Sequence, residues 1–245
     1  MRRIAGDDHK IAIRGQVIDE IKFMTSICDV SKQVENTPTV LTGLDETLRW
    51  IKEAEEFIVE HSMNPYHTRY SQQELSEVLW RTLIGDRSQT SRPATPIRGK
   101  YFQSFRSFLL EFQDLSRKYG KDLPGLMQAI RDHGPFGNMT SPQRVGEMVR
   151  DMVGDESLFA SRFYPRRLAA THMGYIGMVP KGTKKNDIIV LFYGAEVPFV
   201  LRPKLNNTEE GSELEYQIVG ECYLHGAMDG EGLDIGHEEH DFVIF

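Results

Sequence analysis

The sequence predicts an α+β protein in which a helical segment packs against a small antiparallel β-barrel or sandwich. Three observations carry this. Apolar residues recur at three- and four-residue spacing through the middle of the chain. From Pro165 the pattern changes to short apolar runs separated by glycine turns, and stays so to the end. A lone alternating stretch near the start, Lys10 to Met24, has no strand partner except in that C-terminal region. We therefore expect a single compact domain over 1–245: an N-terminal strand segment (1–42) joining the C-terminal sheet, a helical segment (43–164) and a β-rich segment (165–245).

In the first segment Ile11, Ile13, Val17 and Ile21 alternate with polar neighbours, and Gly15 interrupts them, so a bent strand or two short ones are expected. From Asp45 the stripe Leu44, Leu48, Ile51 and Ile58 faces away from Glu46, Lys52, Glu53 and Glu56, which reads as a helix ended by Pro65. A second helix is expected from Ser71, a capping residue with Glu74 three positions on, to Leu83. Trp50 and Trp80 then belong to the core between helices.

Residues 86–99 carry two prolines and little apolar content, and read as an exposed loop and the best candidate for disorder. A third helix, Lys100 to Tyr119, aligns Phe102, Phe105, Phe108, Leu109, Phe112 and Leu115 on a core face. Shorter helices are expected at Pro124–Asp132 and Pro142–Met152, each with proline in its first turn. Strands follow at Arg167–His172, Tyr175–Pro180, Asp187–Tyr193, Val197–Arg202 and Leu214–Leu224, with a polar loop from Asn206 to Ser212.

Composition excludes several classes of function. With 29 basic against 36 acidic residues the net charge is −7, so a sequence-independent grip on nucleic acid is not supported. No apolar run approaches the roughly 20 residues of a membrane span. A cytoplasmic protein with reduced cysteines is expected, since Cys28 and Cys222 are the only two. Phosphate-loop, dinucleotide and Gly-x-Ser-x-Gly fingerprints are absent, and no cofactor or metal is expected.

The densest chemistry lies in Gly220–Gly232, where four glycines accompany Glu221, Cys222, Tyr223, His225, Asp229 and Glu231. If the strand extended through this stretch, Glu221, Tyr223 and His225 would share a face, and a carboxylate beside an imidazole suits acid and base work. His225, Asp229 and Glu221 are thus the catalytic candidates; the alternative is a turn solvated by its acids, with His225 bonded to backbone. Arg202, at a strand end, is a candidate to hold a carboxylate, either a ligand's or that of Glu221. Arg81 with Asp86, Tyr175, Tyr223 and Glu231 complete the binding candidates.

The blocks Arg166-Arg167-Leu168, Gly174-Tyr175-Ile176-Gly177, Val197 to Pro203 and Val219 to Glu231 resemble the C-terminal region of fungal heterokaryon incompatibility (HET) domain proteins. Ile13-Arg14-Gly15 with Asp19, and Leu79 to Ile84 with Asp86, fit the same region in the same order, so the likeness runs from about Lys10 to the end. In that family the HET domain, similar to TIR-type domains and associated with NAD cleavage, precedes this region. The resemblance implies a stand-alone companion module without NAD-cleaving activity, binding a protein partner or a small-molecule ligand. The alternative is a cofactor-free isomerase, cyclase or hydrolase, of the kind found in fungal secondary metabolism, using His225 and a carboxylate. The oligomeric state is not legible.

Overall fold

The computed structural model describes residues 2–3, 10–27, 37–62, 75–87, 93–120, 122, 124–126, 128–129, 166–208, 211–229 and 239–245. In chain order these form β1 (Arg2–Arg3), β2 (Ile11–Met24), α1 (Thr37–Ser62), α2 (Leu75–Leu83), α3 (Ile97–Tyr119), β3 (Arg166–Thr171), β4 (Ile176–Pro180), β5 (Ile188–Phe192), β6 (Phe199–Thr208), β7 (Gly211–Glu221), β8 (Tyr223–Leu224) and β9 (Glu239–Ile244). The α+β class is as the sequence predicts. The chain groups into two compact units. One gathers 1–27, 57–78 and 165–245; the other gathers 28–56 and 79–164.

The strand unit is organised on β2. Its first residues pair with β9 (Ile11↔Ile244 to Gln16↔Glu239), its middle with β5 (Gly15↔Phe192 to Glu20↔Ile188), and its end with β3 (Ile21↔Thr171 to Met24↔Ala169). The N-terminal stretch thus joins the C-terminal strands as expected. One continuous strand serves β9, β5 and β3 in turn, with β1 pairing at its start, because two register shifts, at Val17/Asp19 and Ile21/Phe23, re-aim it. Gly15 permits a close approach of β2 to β5, since a Cβ there would meet Leu191 O at 2.7 Å.

The pairings β2–β5–β6–β7–β9 return to β2, forming a closed circuit of five strands from which β3, β4 and β8 continue. Every pair is antiparallel except β7 with β9. Both faces of the middle strands are covered, which is why Ile188 to Phe192 is an unbroken apolar run rather than an alternating one. Ile189 and Val200 pack on one side with Ile18, Ile21, Tyr175, Val179 and Leu224; their neighbours Val190 and Leu201 pack on the other with Phe192, Phe242 and Ile244. The expected loop Asn206 to Ser212 is largely strand, because β6 and β7 pair without a break from Arg202↔Gln217 to Thr208↔Gly211. Ladder hydrogen bonds do not require apolar side chains, so polarity misread this hairpin.

In the other unit Trp50, Ile51, Trp80, Leu83, Phe102, Phe105, Phe108, Leu109 and Phe112 are buried, so the aromatic stripe and both tryptophans are core as expected. Arg106 pairs with Glu55, and Lys52 donates to Gln113 at 3.2 Å, aligning α1 and α3 in opposite directions. Helix α1 begins earlier than expected, at Thr37, with Pro38 in the first turn, where proline costs no hydrogen bond. Helix α3 likewise starts at Ile97 behind Pro96. Residues 124–126 and 128–129 are helical, in the expected place. The expected cap at Ser71, the centre of the 86–99 loop (88–92) and the helix at Pro142–Met152 lie outside the described residues. No helix among the described residues is long and apolar enough to cross a membrane.

Candidate functional site

The stretch around His225 is where the chain leaves one ladder for another. Strand β7 ends at Glu221, whose register partner is Phe199. Gly220, at φ 150°, turns the backbone, and Cys222 drops out of the ladder, its N–H donating to Pro198 O at 2.9 Å. Tyr223 and Leu224 then pair with Met178 and Gly177 on β4. Gly177 makes that crossing feasible, because a Cβ there would collide with the Tyr223 carbonyl. His225 N–H donates to Ile176 O at 2.8 Å, and a turn through Gly226, at φ 73°, brings Ala227 N–H to Leu224 O.

This geometry separates the residues expected on one face. Tyr223 and His225 are 8% and 5% exposed, and the Tyr223 hydroxyl lies 2.9 Å from His225 Nδ1 in a hydrogen bond. Glu221 is exposed, and its carbonyl accepts from Arg166 at 2.7 Å. The two-residue alternation holds only along an unbroken strand, and the break at Cys222 puts Glu221 in a different ladder from Tyr223. Asp229 is exposed beyond the turn, and Glu231 lies outside the described residues. What the fold brings together is thus a buried phenol and imidazole.

The remaining candidates serve the fold's own contacts. Arg202 sets its fork on Asp187, Nε to Oδ1 at 2.9 Å and Nη2 to Oδ2 at 2.8 Å, and gives a third bond to Gly182 O at 2.7 Å. The carboxylate it holds is therefore Asp187 on the β4–β5 side, not Glu221. Arg81 reaches Asp86 at 2.6 Å and Ala94 O at 3.0 Å, and stacks on Trp80; Asp86 adopts a left-handed φ of 49° to receive it. Those bonds close the described ends of the 86–99 loop. Tyr175 is fully buried, its backbone fixed by Thr171 in both directions. Burial pushes the Cys222 thiol up to about 12, Glu221 adding to the shift and Arg166 opposing it, so the sulfur stays a protonated core group.

Two carboxylates outside the candidate-site residues carry structural weight. Asp187 accepts from Lys184 N–H as well as from Arg202, and the buried Asp19 accepts from the N–H groups of Met173 and Glu20. An acid at the end of an apolar run, with an arginine at the end of the next, is the only sequence trace of the first pair. Among the described residues no group of three or more His, Cys, Asp or Glu could hold a metal ion.

The model of the Het-6 beta-barrel domain family matches residues 10–245, nearly the whole chain. The chain belongs to the Het-6 β-barrel domain family. The chain is similar to heterokaryon incompatibility protein 6, OR allele, of Neurospora crassa, being 28% identical over 177 residues. That alignment takes in 68% of this chain and 24% of the Neurospora protein, so the chain spans about a quarter of its relative's length. No solved structure matches.

Proposed function

We propose that this chain is a binding or regulatory module of the cytoplasm whose partner is a protein, and that it cleaves no NAD. One observation carries the reading: the polar side chains best suited to chemistry are bonded within the fold, His225 to Tyr223, Arg202 to Asp187 and Arg81 to Asp86. What such a Het-6 β-barrel domain then offers a partner is its surface. The enzyme reading needs a carboxylate beside His225; of the sequence's two nominees, Glu221 is exposed in another ladder and Asp229 is exposed beyond the turn. The Neurospora protein continues for about three quarters of its length beyond the similar region, so that remainder, purified, is the natural probe. Calorimetry should detect saturable binding to this chain, while incubation with NAD should show no loss above a heat-killed control. Absence of binding, or NAD loss above the control, refutes the proposal.

A further inference from the structure

We propose that the loop between β4 and β5 is the docking surface for an acidic peptide segment of a protein partner; this rests on the binding-module reading above. The loop reads Lys181-Gly182-Thr183-Lys184-Lys185-Asn186-Asp187. All three lysines are exposed, while Thr183 and Asp187 are buried beneath them.

The loop is held rigidly. Arg202 clamps Asp187 and Gly182 O together, and Lys184 N–H donates to Asp187 Oδ2 at 2.7 Å. Thr183 N–H donates to Pro180 O, Asp187 N–H to Lys184 O, and Asn186 N–H to Ile21 O, the last with Asn186 at a left-handed φ of 69°. The single acid of the loop is neutralised by Arg202, so its outer surface carries three uncompensated positive charges.

That is unusual in a chain with seven more acids than bases. Elsewhere in the strand unit Lys10 sits on Glu215, Arg14 on Glu239 and Arg202 on Asp187, while Arg166 and Arg167 donate to backbone carbonyls and Lys22 and Lys204 lie over aromatic rings. Among the described residues none of Lys181, Lys184 and Lys185 has an ion-pair partner. Three positive charges on a fixed backbone lose little order on binding, and they attract an anion of matching length.

The chemistry of the loop selects among anions. Nucleic acid is gripped by many cations with arginine forks and aromatic platforms, and this loop presents three lysines and no aromatic ring. Anionic membranes call for roughly four to eight basic residues, and no apolar side chain stands between Pro180 and Ile188 to insert. A short run of Asp and Glu in a polypeptide fits both the charge count and the lack of an apolar anchor.

The test titrates the full chain and its Lys181→Gln/Lys184→Gln/Lys185→Gln variant into a fluorescein-labelled oligoglutamate peptide, read by anisotropy, with a single-stranded oligonucleotide and phosphatidylserine vesicles as competitors. The expected result is binding that weakens as salt is raised and is about 10-fold weaker in the triple variant, whose melting temperature is unchanged. Equal binding by the variant, no peptide binding by wild type, or tighter binding to either competitor overturns the proposal. Should the triple variant melt early, the three single variants replace it, and peptide binding unaltered in all three is equally fatal. The Neurospora fragment separates the two readings. Fragment binding retained by the triple variant sinks the loop but keeps the module; peptide binding through the lysines with no fragment binding keeps the loop and sinks that partner.

Discussion

Removing Arg202 while leaving Asp187 in place would strand a carboxylate that is 3% exposed. Losing one partner of a fully buried pair costs about 3–5 kcal/mol. Arg202 is 27% exposed, so water already shares in its solvation, and Asp187 keeps the Lys184 N–H; the cost of Arg202→Met is reduced to about 2–3 kcal/mol. Methionine retains the unbranched stem, which isolates the charge from the packing. Asp187→Asn should be milder, about 1–2 kcal/mol, because the amide oxygen still accepts from Lys184 and the guanidinium left behind reaches water. The double variant should then lose clearly less than the sum of the two, the mark of direct coupling. Urea unfolding followed by far-UV circular dichroism measures all three, since both tryptophans lie in the helical unit and report poorly on these strands. A loss below about 1 kcal/mol for Arg202→Met, or additive single effects, would refute the clamp as the element holding this corner together.

Three further outcomes are expected. Burial, opposed by Glu60 and reinforced by Lys22, holds His61 below the ordinary 6.5 where it stacks on Phe23 at 4.4 Å. A lowered imidazole pKa means the unfolded chain takes up the proton first, so stability is full above 6.5 and declines as pH falls toward the folded value; urea midpoints should show that step in wild type, and a step of equal size in His61→Leu would assign it elsewhere. Thr82→Val should be neutral or stabilising by up to about 1 kcal/mol, because the buried Oγ1 has no hydrogen-bond partner, whereas Thr25→Val orphans the Leu168 N–H and should cost about 1–3 kcal/mol; thermal melts giving the reverse order would contradict both assignments. His225→Asn removes one side of a buried hydrogen bond and should cost about 1–3 kcal/mol, while the exposed Asp229→Asn should stay within about 0.5 kcal/mol; equal melting temperatures for the two would place His225 at the surface.

Much of this molecule is legible locally. The three-and-four spacing of Phe102 to Phe112 forces one wet and one dry helix face, and the apolar runs at 188–192 and 197–202 admit little besides strands. That Lys10–Met24 must seek C-terminal partners also follows from the sequence, since a single strand cannot satisfy its own backbone groups. Local pattern fails where polar residues lie in a ladder, as at Asn206 to Thr208, and where proline sits in a helix's first turn, as at Pro38.

The composition of Gly220–Gly232 was likewise evident, with its glycines, His225 and Tyr223 in close succession. Which side chains meet was not. Spacing along a strand predicts a shared face only while the strand keeps one partner, and this one changes from β6 to β4 at Cys222. Arg202 finds Asp187, and Arg14 finds Glu239 225 positions away, because closure of the circuit fixes registers that depend on every strand between them. Residue identity sets what a side chain can do; the register, decided by packing both faces of β5 and β6 at once, sets what it touches.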